Sequence, residues 1–369
     1  MMINRSLYIH VPFCVNKCNY CDFFSLTTIG EKRISFYVEK CKKEIRQFAA
    51  NYPKSLIKTI YFGGGTPSLL NPIHIGDILD VVYSEFNVAA EEVTIEVNPT
   101  TQINWKEYKQ LGINRVSIGV QSLDDKVLKQ LGRTHSSDMA LRTLIETNKY
   151  FENVSCDLII GTPFDPKITD LESHIELLSK YVKHFSTYIL TVAEDTKMFD
   201  SIQLGELALP DDDTVSDIYY AVSSKLNSLG FNKYEVCNFA KVGFESKHNL
   251  GYWNRLEFFG VGPGASSYID GKRFLVSPTK YFNSDEINYE TEAILTKEDD
   301  MFEEIMLGLR LNGGFNILNF NEKFDVDFLS MYKNSIEKNK DFLTIRNNNI
   351  MINDKNILTM NSILVDFML

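Results

Sequence analysis

Six short runs of β-branched and aromatic residues punctuate the first 192 positions, at 7–11, 58–62, 93–97, 115–120, 154–160 and 185–192. Stretches with helical spacing separate them. Within 31–50, Ile34, Tyr37, Val38, Cys41, Ile45 and Phe48 recur on one face. Within 213–229, Val215, Ile218, Val222, Leu226 and Leu229 do the same, and Gly230 supplies the stop. Strands that alternate with helices pair in parallel through right-handed crossovers. The series therefore predicts an α/β fold, a partial (β/α)6 sheet curled like part of a TIM barrel, with ligand chemistry at the carboxyl ends of the strands.

After Gly230 the pattern changes. Residues 231–239 read as one more strand, and 251–268 are rich in glycine and aromatics, with Gly260, Gly262, Pro263 and Gly264 in a loop of unusual backbone freedom. Residues 283–295 turn polar and acidic, which reads as a linker between a domain at 1–282 and a smaller one at 296–369. In the smaller one, Thr296 and Asp299 have capping-box spacing ahead of Phe302, Ile305, Met306 and Leu309, and Gly313-Gly314 closes the helix. A second helix is expected over 325–337, a hairpin over 343–353 around Asn347-Asn348-Asn349, and a helix at the end of the chain. Helices plus a hairpin make an α+β, winged-helix-like unit. Its basic side chains do not outnumber its acidic ones, which argues against DNA reading.

The whole chain carries 38 Lys and Arg against 49 Asp and Glu, a net charge of −11, with no block of cations. That excludes a grip on nucleic acid or anionic lipid that relies mainly on charge. No apolar run approaches the roughly 18 residues that span a bilayer, so no transmembrane segment is expected. Met1-Met2-Ile3-Asn4-Arg5 lacks the apolar core and small-residue cleavage site of a signal peptide. The expected location is cytoplasmic, where thiols stay reduced and clustered cysteines bind metal or do redox chemistry.

Of six cysteines, Cys14, Cys18 and Cys21 fall within eight residues just after the first predicted strand. A closed tetrahedral zinc site wants a fourth ligand nearby, and neither adjacent Asp22 nor His10 on the preceding strand supplies an obvious one. A [4Fe–4S] cube held at three corners accounts for the shortage, its fourth iron open to a ligand that is not protein. A zinc or purely structural site with a distant fourth ligand is the alternative. Cys41, Cys156 and Cys237 stand alone in apolar surroundings and read as core thiols.

Other predicted strand ends are polar or glycine-rich. Gly63-Gly64-Gly65-Thr66-Pro67 follows the second. Missing side chains there let backbone groups approach a bound amino acid, although a triglycine can also be a mere turn. Glu96 ends the third, where a carboxylate could hold a ribose diol or an ammonium. Gln121 closes the fourth, Arg133 follows twelve residues later, and Asp157 lies in the fifth. An isolated Glu or Arg is usually a solvated surface charge, but polar residues at consecutive strand ends are not.

Cys-x3-Cys-x2-Cys with Tyr20 before the last cysteine resembles the signature of the radical S-adenosylmethionine superfamily. The resemblance implies a [4Fe–4S] cluster on Cys14, Cys18 and Cys21 whose open iron chelates the methionyl amine and carboxylate, and electron transfer that breaks the sulfonium bond. Tyr8-Ile9-His10-Val11-Pro12-Phe13-Cys14, Gly63 to Pro67, Gly119-Val120-Gln121 and Gly161-Thr162-Pro163 together resemble the oxygen-independent coproporphyrinogen III oxidase family over essentially the whole chain. By that resemblance Tyr8 packs near the cluster, and Gly64, Gly65 and Thr66 contact the methionyl part. Glu96, Gln121, Arg133 and Asp157 position the ligand, and Ala193 lines the adenine. A reductant such as flavodoxin or ferredoxin is implied as a partner.

That family holds dehydrogenases, which decarboxylate two propionates of coproporphyrinogen III, and HemW-type heme chaperones. The dehydrogenases carry a further cysteine two residues after the third and a longer arm before the motif. Here that position is Phe23, and only thirteen residues precede Cys14. His248-Asn249-Leu250-Gly251-Tyr252-Trp253 is similar to the His-Asn-x-x-Tyr-Trp motif of the chaperone subgroup, which is associated with heme. Imidazole is a good axial ligand and aromatic rings stack on a macrocycle, so His248, Tyr252 and Trp253 are candidate heme contacts. Alternatively, His248 and Asn249 hydrogen-bond a loop whose aromatics fill the core. The expectation is a heme chaperone that delivers heme to an acceptor protein. A coproporphyrinogen III dehydrogenase and a plain iron–sulfur electron carrier are the alternatives.

Overall fold

The computed structural model describes residues 2–100 and 102–368. Strands β1 (Ile3–Val11), β2 (Ser55–Gly64), β3 (Asn87–Val97), β4 (Arg115–Gln121), β5 (Asn153–Ile160) and β6 (His184–Ile189) lie side by side in chain order, all parallel. Helices α1 (Glu31–Asn51), α2 (Pro72–Glu85), α3 (Trp105–Gln110), α4 (Asp125–Gln130), α5 (Ser137–Thr147) and α6 (Ile168–Leu178) connect them. Asn71, Asn104, Asp124 and Ser136 start α2 to α5 by accepting a first-turn N–H on their side chains. All six predicted strands are present. The last ends at Ile189 rather than 192.

Successive side chains on a strand point to opposite faces, and here the two faces differ sharply. Leu7, Ile9, Val11, Ile60, Phe62, Val93, Ile95, Val116, Ile118, Val154 and Phe185 pack with the helices in one buried core. The alternate positions are polar: Tyr8 and His10, Tyr61, Glu92 and Glu96, Arg115 and Ser117, Asp157, His184. TIM barrels fill their interior with branched apolar side chains. Here the apolar core lies outside the strands, and the space they enclose is lined by groups that bind ions and hydrogen-bond.

The sheet does not close on itself. Past β6 come α7 (Lys197–Gln203), α8 (Asp212–Ser228), β7 (Asn232–Lys233) and β8 (Asn238–Ala240). Residues 231–239, expected as one strand, are thus a hairpin: β8 runs antiparallel to both β6 and β7. Glu235 makes the turn, its carboxylate accepting the Cys237 N–H at 3.3 Å. Next come α9 (Lys247–Trp253), β9 (Phe258–Val261), β10 (Ser266–Ile269), β11 (Lys272–Val276) and β12 (Tyr289–Ile294). β9 pairs parallel to β1 on the other edge, and β10 to β12 extend the sheet outward. The stretch 283–295, expected as a linker, therefore carries a strand. Its polarity is that of a sheet edge exposed on both faces.

The C-terminal part comprises α10 (Lys297–Gly308), β13 (Phe315–Asn316), α11 (Ile317–Phe324), α12 (Phe328–Met331), α13 (Lys333–Lys338), β14 (Leu343–Arg346), β15 (Asn349–Ile352) and α14 (Met360–Val365). The expected capping box opens α10. The expected hairpin is β14–β15, with Asn347 and Asn348 both at positive φ, as a tight hairpin turn of matching twist requires. β13 completes a three-stranded antiparallel sheet. The helix expected over 325–337 is instead two short ones. Asp325, at φ 49°, ends the preceding α11, which the sequence reading missed. Among the described residues no helix is long and apolar enough to cross a membrane.

One arginine ties this part to the sheet extension. Arg255, with its side chain 2% exposed, ion-pairs with Asp300, Glu303 and Glu304 of α10 and donates to the Tyr268 hydroxyl at 2.6 Å. Removing it would strand carboxylates that keep some solvent. Arg255→Ala is therefore expected to cost about 2–3 kcal/mol, below the ~3–5 kcal/mol of a fully buried pair. Urea unfolding checks this; a loss under about 0.5 kcal/mol would show that the cluster contributes nothing beyond solvated charges.

Candidate functional site

The loop after β1 is stitched over the carboxyl ends of the strands. Cys14 N–H donates to Leu26 O at 3.0 Å, and His10 Nε2 lies 2.9 Å from Phe24 O, so the far end of the loop is pinned back against β1 and the residues just after it. Farther along, Asn16 donates to Gly132 O (3.1 Å), and the backbone and side-chain N–H groups of Asn19 donate to Leu131 O and Gln130 O (both 3.0 Å). Met198 N–H donates to Asn19 O at 2.9 Å, fixing the loop to α7. Segments that follow β4 and β6 thereby hold a loop that follows β1.

Beneath it lies a cavity of about 520 Å³. Cys14, Cys18 and Cys21 line it, and so do Gly64, Gly65, Thr66, Glu96, Gln121, Arg133, Asp157 and Ala193. Of the residues expected to contact cluster or S-adenosylmethionine, only Tyr8 is not on the wall. It sits one layer deeper, its hydroxyl 3.1 Å from His10 Nδ1. The wall contains three cysteines and no histidine, and among the described residues no three Cys, His, Asp or Glu side chains converge on a single metal ion. Three thiols spread around such a cavity fit a polynuclear cluster with one corner open better than a tetrahedral zinc ion.

Local geometry serves the thiols. Thr66 Oγ1 donates to Cys14 Sγ at 3.7 Å, and Arg133 Nη1 donates to Cys18 Sγ at 3.5 Å while its Nη2 donates to Gly119 O at 2.9 Å. Burial pushes the Cys14 and Cys21 thiols up. Arg133 supplies the positive charge that thiolates need. Gly65 donates to Val11 O at 2.8 Å, and a Cβ there would stand 2.7 Å from Phe13 O, 2.8 Å from Val11 O and 3.1 Å from Cys14 Sγ. Only glycine lets β2 pass so close to the thiol loop. At Gln121 the backbone adopts φ 63°, a strained conformation at the cavity wall.

Two carboxylates reach the cavity from deep in the barrel. Glu96 accepts from the Tyr61 hydroxyl at 2.7 Å and from Gly64 N–H at 3.0 Å. Burial pushes it up to about 7, with the nearby Asp157 adding to the rise and the Tyr61 bond opposing it. Asp157 is likewise raised by burial, against hydrogen bonds from Ser186 and Ser117 and the charge of Arg115. Tyr61, Ser117 and Arg115 escaped the sequence reading. They share the strand parity of Glu96 and Asp157, opposite the apolar positions, and that alternation is the signal that would have found them.

The expected heme contacts lie elsewhere. Helix α9 enters the barrel interior, where Glu92 on β3 accepts from Lys247 N–H (2.9 Å) and His248 N–H (3.1 Å). The His248 ring is buried. The Thr59 hydroxyl donates to Ser6 at 2.9 Å, so it accepts from His248 Nδ1 at 2.8 Å, leaving Nε2 to accept from the Tyr252 hydroxyl at 2.8 Å. Burial, and then the charge of Arg115, push the imidazole down to about 3, so it is neutral. Trp253 stacks under the Arg310 guanidinium, 5.8 Å from its ring centre. His248 therefore has no ring nitrogen free for an iron in this conformation. The motif's polar groups bond one another and the barrel wall.

Residues 8–178 match the Radical SAM superfamily, and residues 295–357 match the HemN C-terminal domain. The chain is 34% identical over 349 residues to the heme chaperone HemW of Bacillus subtilis, covering 90% of this chain and 92% of that protein. It is 32% identical over 380 residues to the heme chaperone HemW of Lactococcus lactis, covering 99% and 97%. In fold it resembles coproporphyrinogen III oxidase (HemN) of Escherichia coli, a radical SAM enzyme. The TM-score is 0.84 at 19% identity, over 100% of this chain and 90% of that one. The curled parallel sheet and the smaller C-terminal part expected from the sequence are those of that fold, and by its full-length likeness to the HemW proteins the chain belongs to the HemW family of radical SAM proteins.

Proposed function

We propose that the protein is a heme chaperone of the cytoplasm. It takes heme as cargo for an acceptor protein and holds a [4Fe–4S] cluster with S-adenosylmethionine in the three-thiol cavity. The observation that carries the cofactor assignment is the convergence of Cys14, Cys18 and Cys21 with Glu96, Gln121, Arg133, Asp157 and Ala193 on one cavity. The names of the full-length relatives support the chaperone assignment. So does Phe23, 57% exposed at the cavity, where the dehydrogenases of the wider family carry a further cysteine.

In this reading the three thiolates ligate the cluster, and Arg133 offsets their charge. When bound, such a cluster supplies one electron to S-adenosylmethionine through an iron that the protein leaves open. Glu96 and Asp157 take up cationic or hydroxyl groups of the ligand, while Gly64, Gly65 and Thr66 let its amino-acid end approach the backbone. A small electron carrier of the flavodoxin or ferredoxin kind serves as reductant.

Two assays on anaerobically reconstituted protein test the proposal. With S-adenosylmethionine, reductant and coproporphyrinogen III, no turnover to protoporphyrinogen IX is expected, and turnover at enzymatic rates would overturn the chaperone assignment. A heme titration followed by absorbance is expected to saturate stoichiometrically, and His248→Ala is expected to retain that stoichiometry because its imidazole is already engaged. Loss of heme binding in a folded His248→Ala protein would restore His248 as the ligand.

A further inference from the structure

Tyr61 lies on the inner face of β2 between two features that look unrelated in sequence. Its hydroxyl donates to Glu96 Oε1 at 2.7 Å, at the floor of the cavity. Its ring stacks on the His248 imidazole, with centroids 4.9 Å apart and planes at 29°. The imidazole cannot drift, because Thr59 and Tyr252 hold its two nitrogens and Glu92 holds the start of its helix. Tyr8 flanks the pair from β1, 6.1 Å from Tyr61 and 6.4 Å from His248. A continuous set of contacts therefore runs from α9 through Tyr61 to Glu96.

We propose that Tyr61 is a positioning residue for the S-adenosylmethionine site, fixing the Glu96 carboxylate, and that His248 serves as the ring on which Tyr61 rests. The motif helix α9 then braces the floor of the cofactor cavity from beneath, through Tyr61. The inference rests on the assignment of Glu96 to that ligand.

The arrangement has a consequence in pH. An ionised Glu96 accepts charge-assisted hydrogen bonds from an ammonium or a ribose diol on both oxygens, whereas a protonated one loses the charge and turns one oxygen into a donor. The groups facing Glu96 are Tyr61 from β2, Arg115 from β4 and Asp157 from β5, with the hydroxyls of Tyr8 from β1, Tyr188 from β6 and Tyr252 from α9. Burial holds Glu96 near 7, and the Tyr61 bond favours its charged form. Deleting that hydroxyl raises the carboxyl further, so ligand binding should need a higher pH. His248 is held neutral well below this window and does not contribute a titration of its own.

The test is equilibrium dialysis of S-adenosylmethionine against the full-length, cluster-reconstituted protein between about pH 6 and 8.5, bracketing Glu96. The wild type is expected to lose affinity on the acid side with an inflection near 7. Tyr61→Phe should move that inflection up by roughly one unit and weaken binding about fivefold at pH 7 and about tenfold near pH 6, the curves closing toward the alkaline end. The ligand's own titration is common to both proteins and cancels in their ratio. Glu96→Gln should bind weakly with a flat profile. His248→Ala should reproduce part of the Tyr61→Phe shift, and His248→Phe, which returns a ring beneath Tyr61, should reverse it. A Tyr61→Phe curve superimposed on the wild type, beside a weakened Glu96→Gln, would overturn the inference and leave the site intact. Unchanged affinity in Glu96→Gln would instead overturn the assignment of Glu96 to the ligand. His248→Ala matching the wild type would remove His248 from the arrangement.

Discussion

Cys18→Ala is expected to abolish the visible absorbance of the reconstituted cluster and, with it, S-adenosylmethionine binding, whereas Cys41→Ala keeps both. Cys18 lines the cavity beside Cys14 and Cys21, and Arg133 already donates to its sulfur at 3.5 Å. The wall offers no further cysteine or histidine to replace it, so loss of one thiol leaves a cube with two corners exposed. Cys41 is fully buried on α1, 3.6 Å from the Tyr281 hydroxyl, and burial pushes its thiol far up. Such a thiol is an inert piece of core, and its truncation should cost about 1 kcal/mol of packing. The comparison is made on folded, iron-loaded protein by absorbance and iron content. Full cluster absorbance in Cys18→Ala would sink the three-thiolate assignment.

Gly65→Ala should be nearly as damaging without touching a ligand. The added methyl would meet two backbone oxygens, Phe13 O and Val11 O, and neither can swing aside as a flexible side chain would. Relief requires the loop bearing Cys14 to move away from β2, which spreads the thiols. Overpacking of this kind costs about 1–3 kcal/mol, and here the movement falls on the cluster site itself. Cluster content after reconstitution should drop severalfold while circular dichroism remains native. Gly313→Ala, where nothing lies within 4 Å of an added Cβ, is the matched control and should load normally. Normal cluster loading in Gly65→Ala would mean that the close approach of β2 to the loop has no bearing on the site.

Much of this was legible in the sequence because period and chemistry point the same way. The six strands declare themselves through Leu7, Ile9, Ile60, Phe62, Val93, Ile95 and their counterparts, which must be apolar because helices cover them. The cavity residues share one face of the parallel strands toward their carboxyl ends, so Glu96, Gln121 and Asp157 could be brought together once the strands were assigned in order. Tyr61 was not legible: a tyrosine in a strand reads as β-propensity, and its meeting with Glu96 depends on the β2–β3 register, which pairs Phe62 with Ile95. The surroundings of His248 were hidden for a related reason. Its motif lists the imidazole and the Tyr252 hydroxyl that meets one nitrogen, but not the Thr59 hydroxyl on β2 that meets the other. Strand β12 was invisible because an exposed edge needs no apolar alternation, and Tyr289-Glu290-Thr291-Glu292-Ala293-Ile294 looks like any acidic loop. In the C-terminal part, Asp325 had the composition of a helix start but adopts the left-handed conformation of a helix end.

The central claim is that three thiols hold a cluster whose open iron faces a cavity shaped for S-adenosylmethionine. Electron paramagnetic resonance of the chemically reduced, reconstituted protein, recorded with and without saturating S-adenosylmethionine, tests it directly. Binding at the open iron changes that iron's ligands, so the signal should shift in g-values and line shape when S-adenosylmethionine is added. A fully loaded cluster whose spectrum is identical in its presence would contradict an open corner at this site.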